Sequence, residues 1–145
     1  MKKRRAGRAD RKLGSLPGLV LDAGALHALE DRPIRLLADL QLAHELGLPI
    51  RIPAGSLAQS WRGGPRSASL ARLLKQPCTV VQVDERSARE IGEFIASIRL
   101  PARVKPDIVD AHVALTTRAT RSVVWTSDPQ DIASYDVGID FIRRI

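Results

Sequence analysis

Short apolar runs and amphipathic stretches take turns along almost the whole chain, and this alternation restricts the fold more than any other feature of the sequence. Strands are expected at 19–22 (LVLD), 49–53 (PIRIP), 78–84 (CTVVQVD), 122–127 (SVVWTS) and 138–145 (GIDFIRRI), where aliphatic and β-branched residues cluster between turn formers. The stretches between them carry leucines, isoleucines and alanines at helical spacing. The internal strands read as continuous apolar runs, as expected when helices cover both faces of a sheet. The pattern predicts an α/β protein, a three-layer α/β/α domain with a mostly parallel central sheet, and leaves the strand order open.

The helices have legible limits. AGALHALED follows the first strand, and IRLLADLQLAHELG ends at Gly47. AGSLAQSWRGG is a short helix closed by Gly63 and Gly64, and SASLARLLK carries a stripe through Leu70, Leu73 and Leu74. DERSAREIGEFIASIRL has Asp84 as its cap, with Ala88, Ile91 and Ile95 on one face. Pro106 introduces the helix DIVDAHVALTTRA, and DPQDIASY is a short helix before the closing edge strand.

The net charge of +7 suggests a nucleic-acid partner until it is located. Residues 1–12 hold seven basic side chains against Asp10, so six of the seven net charges belong to that segment and the body is close to neutral. Residues 1–15 therefore read as a basic, disordered tail, either a solubilising extension or an arm that attracts phosphates, and 16–145 as one domain. No apolar stretch reaches the roughly 20 residues of a membrane span, and no secretory signal follows the N-terminal charges, so a soluble cytoplasmic protein is expected. Cys78 reads as a small core residue of a strand, and His27, His44 and His112 lack the paired spacing of zinc sites. Any metal should prefer oxygen ligands.

Three aspartates sit where an apolar run meets a turn or a helix start: Asp22 in LVLD, Asp110 in DIVDAHVAL and Asp128 in VVWTSD. Acids gathered at the carboxyl end of a sheet repel one another unless a cation neutralises them, so the arrangement suggests a divalent-metal site. Each acid also has a plainer reading. Asp22 is placed to cap the helix after it, and Asp107 with Asp110 has the spacing of a capping box. Capping alone leaves the matching pair Asp128 and Asp131 unexplained. Thr126 and Ser127 have the chemistry to orient water or phosphate, or simply to form a turn.

The segments LVLDAGALHAL, IPAGSLAQSWRGG, DIVDAHVAL and VVWTSDPQDI, in that order over residues 19–135, resemble the PIN-domain nucleases and most closely the VapC-like toxins of bacterial toxin–antitoxin pairs. The resemblance implies a metal-dependent ribonuclease (a hydrolase) that cleaves RNA phosphodiesters with Mg²⁺ or Mn²⁺. By position it implies Asp22, Asp110 and Asp128 as metal-binding and catalytic acids, and Asp131 and Asp107 each as an outer ligand or a helix cap, with capping the favoured reading for Asp107. Mg²⁺ keeps several waters in an octahedral shell, which suits carboxylates that need not all touch it, and it activates water and polarises the phosphoryl group. The implied partners are an RNA substrate (tRNA, rRNA or mRNA), a cognate antitoxin that blocks the acidic cleft, and a second copy in a homodimer.

One position departs from the pattern. Where the family commonly has a glutamate on the helix after the second strand, this chain has Gln59, which brings no charge and predicts weaker cation binding. The alternative is a PIN-fold RNA- or partner-binding module of weak or absent activity. Arg62 and Arg66 are candidate phosphate contacts, with interaction at a helix end as the plainer reading. Trp61 and Trp125 read as core, His27 as partly buried, and His112 as turned away from Asp110. A receiver or phosphatase domain fits less well, because no second acid lies two residues after Asp22 and no adjacent acidic pair accompanies it.

Overall fold

The computed structural model describes residues 18–145. The basic tail and the domain start expected near Leu16 lie outside the described residues. Five strands form one sheet in the order β3-β2-β1-β4-β5: β1 Leu19–Leu21, β2 Ile50–Pro53, β3 Thr79–Val81, β4 Val123–Thr126 and β5 Ile142–Arg144. Every pairing is parallel. Seven helices connect the strands: α1 Ala23–Ala28, α2 Ile34–Glu45, α3 Ala54–Ser60, α4 Ala68–Leu74, α5 Glu85–Ser97, α6 Ile108–Thr120 and α7 Pro129–Ser134.

Strand parity builds the three layers. Leu19 and Leu21 of β1, with Val123 and Trp125 of β4, pack into one core with Ala25, Leu26, Leu36, Leu40, Leu70 and Leu73 from α1, α2 and α4. Val20 and Val124 point the other way and join Ile91, Phe94, Val113 and Ile132 from α5, α6 and α7. Each central strand thus buries both faces, which accounts for its unbroken apolar sequence. The α/β/α architecture with a parallel sheet is the one the alternation predicts, and it is consistent with a PIN-like fold.

Several local expectations shift. β3 stops at Val81 rather than Asp84, because it is the edge strand of the sheet among the described residues, and Val83 is already exposed. Cys78 precedes that strand and is half-buried, its thiol 3.7 Å from the Leu73 carbonyl and its pKa raised by burial. Asp84 caps α5 as expected, accepting from the Ser87 N–H at 2.8 Å. The buried line of α5 runs through Ile91 and Phe94, with Ala88 left in solvent. Trp61 lies just past the last turn of α3 and is exposed, whereas Trp125 is buried. Among the described residues no helix is long and apolar enough to cross a membrane.

The order 3-2-1-4-5 has a topological consequence. From β1 the chain moves outward through β2 and β3, then returns through α6 to lay β4 against the other side of β1. The crevice at the carboxyl ends of β1 and β4 is therefore the switch point where open parallel sheets bind ligands.

Candidate functional site

Asp22 is the first residue beyond β1, and its backbone N–H still pairs with the Trp125 carbonyl of β4 at 3.1 Å. The register of Leu21 with Trp125 carries forward to place Asp22 beside Thr126, and parity directs both towards the α6 side, as it does Val20 and Val124. The buried Thr126 hydroxyl donates to Asp22 Oδ2 at 2.8 Å. On Oδ1, the Ala23 N–H donates at 2.7 Å and the Ser56 hydroxyl at 3.4 Å. Asp22 is only 7% exposed, yet both oxygens are satisfied and Oδ2 keeps a lone pair. Its side chain accepts from the first N–H of α1, whereas a typical cap reaches the second or third. The carboxylate is held from β4 and α1, with a longer contact from α3, and does more than cap a helix.

Thr126 serves two acids. Its Oγ1 also accepts from the Asp128 N–H at 3.0 Å, so one hydroxyl ties the acid after β1 to the backbone of the acid after β4. The turn between β4 and α7 also packs closely on α1: a Cβ added at Gly24 would fall 2.1 Å from Ser127 Oγ. Only glycine allows that approach.

α6 ends where β4 begins, so its first turn lies back at the carboxyl end of the sheet, and Asp110 is in that turn. Asp107 is the cap: its Oδ1 accepts from the Asp110 N–H at 2.9 Å. The reciprocal half of a capping box is absent. The Asp107 N–H donates instead to the Tyr135 hydroxyl at 2.9 Å, and that hydroxyl lies 3.4 Å from the Asp107 carbonyl. The capping reading therefore holds for Asp107 but leaves the Asp110 carboxylate uncommitted.

Burial, together with the charges of Asp107, Asp22, Asp131 and Asp128, pushes the Asp110 pKa up to about 7. Lost hydration, a hydrogen bond with Asp128 and the Asp128 charge likewise raise Asp131, and Arg103, 3.5 Å from it, pulls the other way. Asp22, Asp110 and Asp128 thus share one electrostatic neighbourhood with Asp107 and Asp131. Among the described residues, however, no three carboxylate, imidazole or thiolate groups stand close enough to enclose a metal ion. The donor chemistry, hard oxygens with mutual repulsion to be relieved, fits Mg²⁺ or Mn²⁺ held partly through its own waters.

Gln59 is exposed on α3. The side chains by which this helix reaches the site are Ser56, on Asp22, and Ser60, whose hydroxyl lies 3.3 Å from the Ala23 carbonyl and 2.9 Å from that of Ser56. Neither serine stands out in the sequence, although serines four apart on so short a helix share a face. Arg62 donates to the Trp61 carbonyl at 2.8 Å, the helix-end role, and Arg66 is exposed on the following turn. His27 is exposed rather than partly buried. His112 is buried on α6, its Nδ1 without a partner among the described residues and its pKa lowered by burial.

The chain has no significant match among protein-family models, curated proteins or solved structures.

Proposed function

We propose that the chain is a Mg²⁺- or Mn²⁺-dependent endoribonuclease of the PIN type, acting in the cytoplasm as the toxin of a toxin–antitoxin pair. The observation that carries this reading is the convergence of Asp22, Asp110 and Asp128 at the switch point between β1 and β4, where Asp110 is surrounded by like charge. Asp22, Asp110 and Asp128 are the residues to hold a cation, which supplies charge neutralisation, polarisation of the phosphoryl oxygen and activation of water. Thr126, Ser56 and the Ala23 N–H fix the Asp22 carboxylate, so little reorganisation is needed on binding. With its proton affinity raised, Asp110 is a position where cation and proton compete.

The antitoxin and the homodimer are part of the same proposal and rest on the resemblance alone. A second reading, an RNA- or partner-binding module of weak or no activity, is favoured by Gln59 and by the lack of a closed cage among the described residues. One comparison separates the two. Wild type should cleave tRNA or rRNA only with Mg²⁺ or Mn²⁺, and Asp22→Asn combined with Asp110→Asn should bind RNA without cutting it. Equal cleavage by the double variant in a nuclease-free preparation contradicts the enzyme reading. Absence of cleavage in wild type at high metal favours the binding module.

A further inference from the structure

A carboxylate-rich crevice repels the polyanion it is proposed to cut, so hydrolysis of RNA there requires cations at the rim as well as in the centre. The described chain has one basic strip in the right place. Between α5 and α6, residues 99–105 contain Arg99, Arg103 and Lys105 and no acid. The strip is shaped rather than slack: Pro101 and Pro106 fix two φ angles, and the Val104 N–H closes a turn on the Pro101 carbonyl at 2.9 Å. Arg103 sits at the tip of that turn, its Nη1 3.5 Å from Asp131 Oδ1. Asp131 is in the first turn of α7, which Asp128 begins, and the two carboxylates interact, so Arg103 is one side chain removed from the proposed cation site.

The pairing is of a kind that exchanges easily. The side chains of Arg103 and Asp131 are 58% and 34% exposed, and an ion pair open to water at this distance is weak. Arg103 therefore contributes little to holding the fold, while its guanidinium stays beside the acids with donors to spare. A phosphate can offer the guanidinium two short parallel hydrogen bonds in place of the single 3.5 Å contact that it makes with Asp131.

We propose that Arg103 is a substrate-binding residue that leaves Asp131 to grip an RNA phosphate beside the one being cleaved, with Arg99 and Lys105 extending the track along the 99–105 turn. The proposal rests on the ribonuclease reading for the direction of the track and on the turn geometry for the residue. Arg103 is distinct from Arg62, whose guanidinium is occupied at the end of α3. The exchange also frees Asp131 at the moment when phosphate arrives.

The test uses the full chain, tail included, in wild-type, Arg103→Ala and Arg103→Lys forms. In the first arm, binding of a short single-stranded RNA is followed by fluorescence anisotropy in EDTA across a salt series. Arg103→Ala should weaken binding about tenfold and lower the slope of log affinity against log salt by about 0.7, the share of one phosphate contact on a single strand. Arg103→Lys should restore the slope and part of the affinity. In the second arm, Mg²⁺-dependent cleavage should show KM raised by about the same factor, with kcat changed less. Unchanged affinity and slope in Arg103→Ala overturn the proposal, whether or not wild type cleaves. A wild type that binds through Arg103 but never cleaves leaves this inference standing and removes the ribonuclease reading.

Discussion

Across the β1–β4 pairing, the Thr126 hydroxyl donates to Asp22 Oδ2 at 2.8 Å and accepts from the Asp128 N–H at 3.0 Å. Thr126→Val keeps the shape and removes both bonds. A buried carboxylate then loses a donor, which should cost about 1–3 kcal/mol in urea denaturation. Thr126→Ser should retain most of the stability. If Thr126→Val is as stable as wild type and binds Mg²⁺ equally well, the hydroxyl does not organise the acids.

Asp110 gives the fold a pH dependence with a definite sign. Its folded pKa of about 7 exceeds the ordinary carboxylate value of 3.8, so between those limits the folded chain holds a proton that the unfolded chain has released. Its contribution to stability therefore falls as pH rises from about 4 to 7. In EDTA at pH 8, Asp110→Asn should melt about 2–6 °C above wild type, and near pH 4 the two should nearly coincide. Adding Mg²⁺ at pH 8 should raise the wild type more than the variant. A variant that melts below wild type at pH 8 in EDTA contradicts the repulsion at this site.

Gly24 is the residue on which the turn after β4 rests. Alanine there would normally favour the helix by about 1 kcal/mol, but its Cβ would meet Ser127 Oγ at 2.1 Å, Ser127 Cβ at 2.6 Å and the Ser127 N at 2.8 Å. Gly24→Ala should lower the melting temperature and impair Mg²⁺ binding together. Ser127→Gly in the same chain should rescue only part of the loss, since the backbone clash remains. Full stability of Gly24→Ala would show that the turn moves freely.

Asp39 on α2 accepts from Trp125 Nε1 at 2.9 Å and pairs with Arg143 Nε of β5 at 3.3 Å. Asp39→Ala strips two largely buried donors at once and should cost about 2–4 kcal/mol by chemical denaturation. Because this node lies on the opposite face of the sheet from Asp110, Mg²⁺ affinity at temperatures well below unfolding should not change. A loss of metal binding with the fold intact would mean that the two faces are coupled.

Gln59→Glu restores the charge that the resemblance leads one to expect. If α3 contributes to the site, the Mg²⁺ concentration for half-maximal RNA cleavage should fall about three- to tenfold. Cleavage assayed across a Mg²⁺ titration decides it. No shift would mean that this exposed side chain stays outside the cation's reach and that Ser56 is the contribution of α3.

The fold was legible because β1 and β4 are buried on both faces, and a run such as VVWT has few other uses. Asp22 and Asp110 were legible for a related reason: an acid placed directly after a buried strand, or at the start of a helix feeding one, lies at the sheet's carboxyl edge. Contacts set by distant register were not. Thr126 reaching Asp22, and Tyr135 taking the Asp107 N–H and so freeing Asp110, join residues 104 and 28 positions apart, and no local spacing encodes them. Trp61 and Ala88 are exposed where burial is expected, because hydrophobic character says what a residue prefers, while its place near a helix end decides what it receives. Arg103 does not stand out in the sequence, because a short basic strip between prolines looks like ordinary solvated linker until its tip is seen against Asp131.

Asp22, Asp110 and Asp128 are proposed to form one cation site. Anomalous diffraction from a crystal soaked in Mn²⁺ tests it most directly. A peak among these three carboxylates, lost in crystals of Asp110→Asn, is the predicted result. No peak there at saturating Mn²⁺, or a peak that persists unchanged in the variant, rules out a cation site shared by these acids.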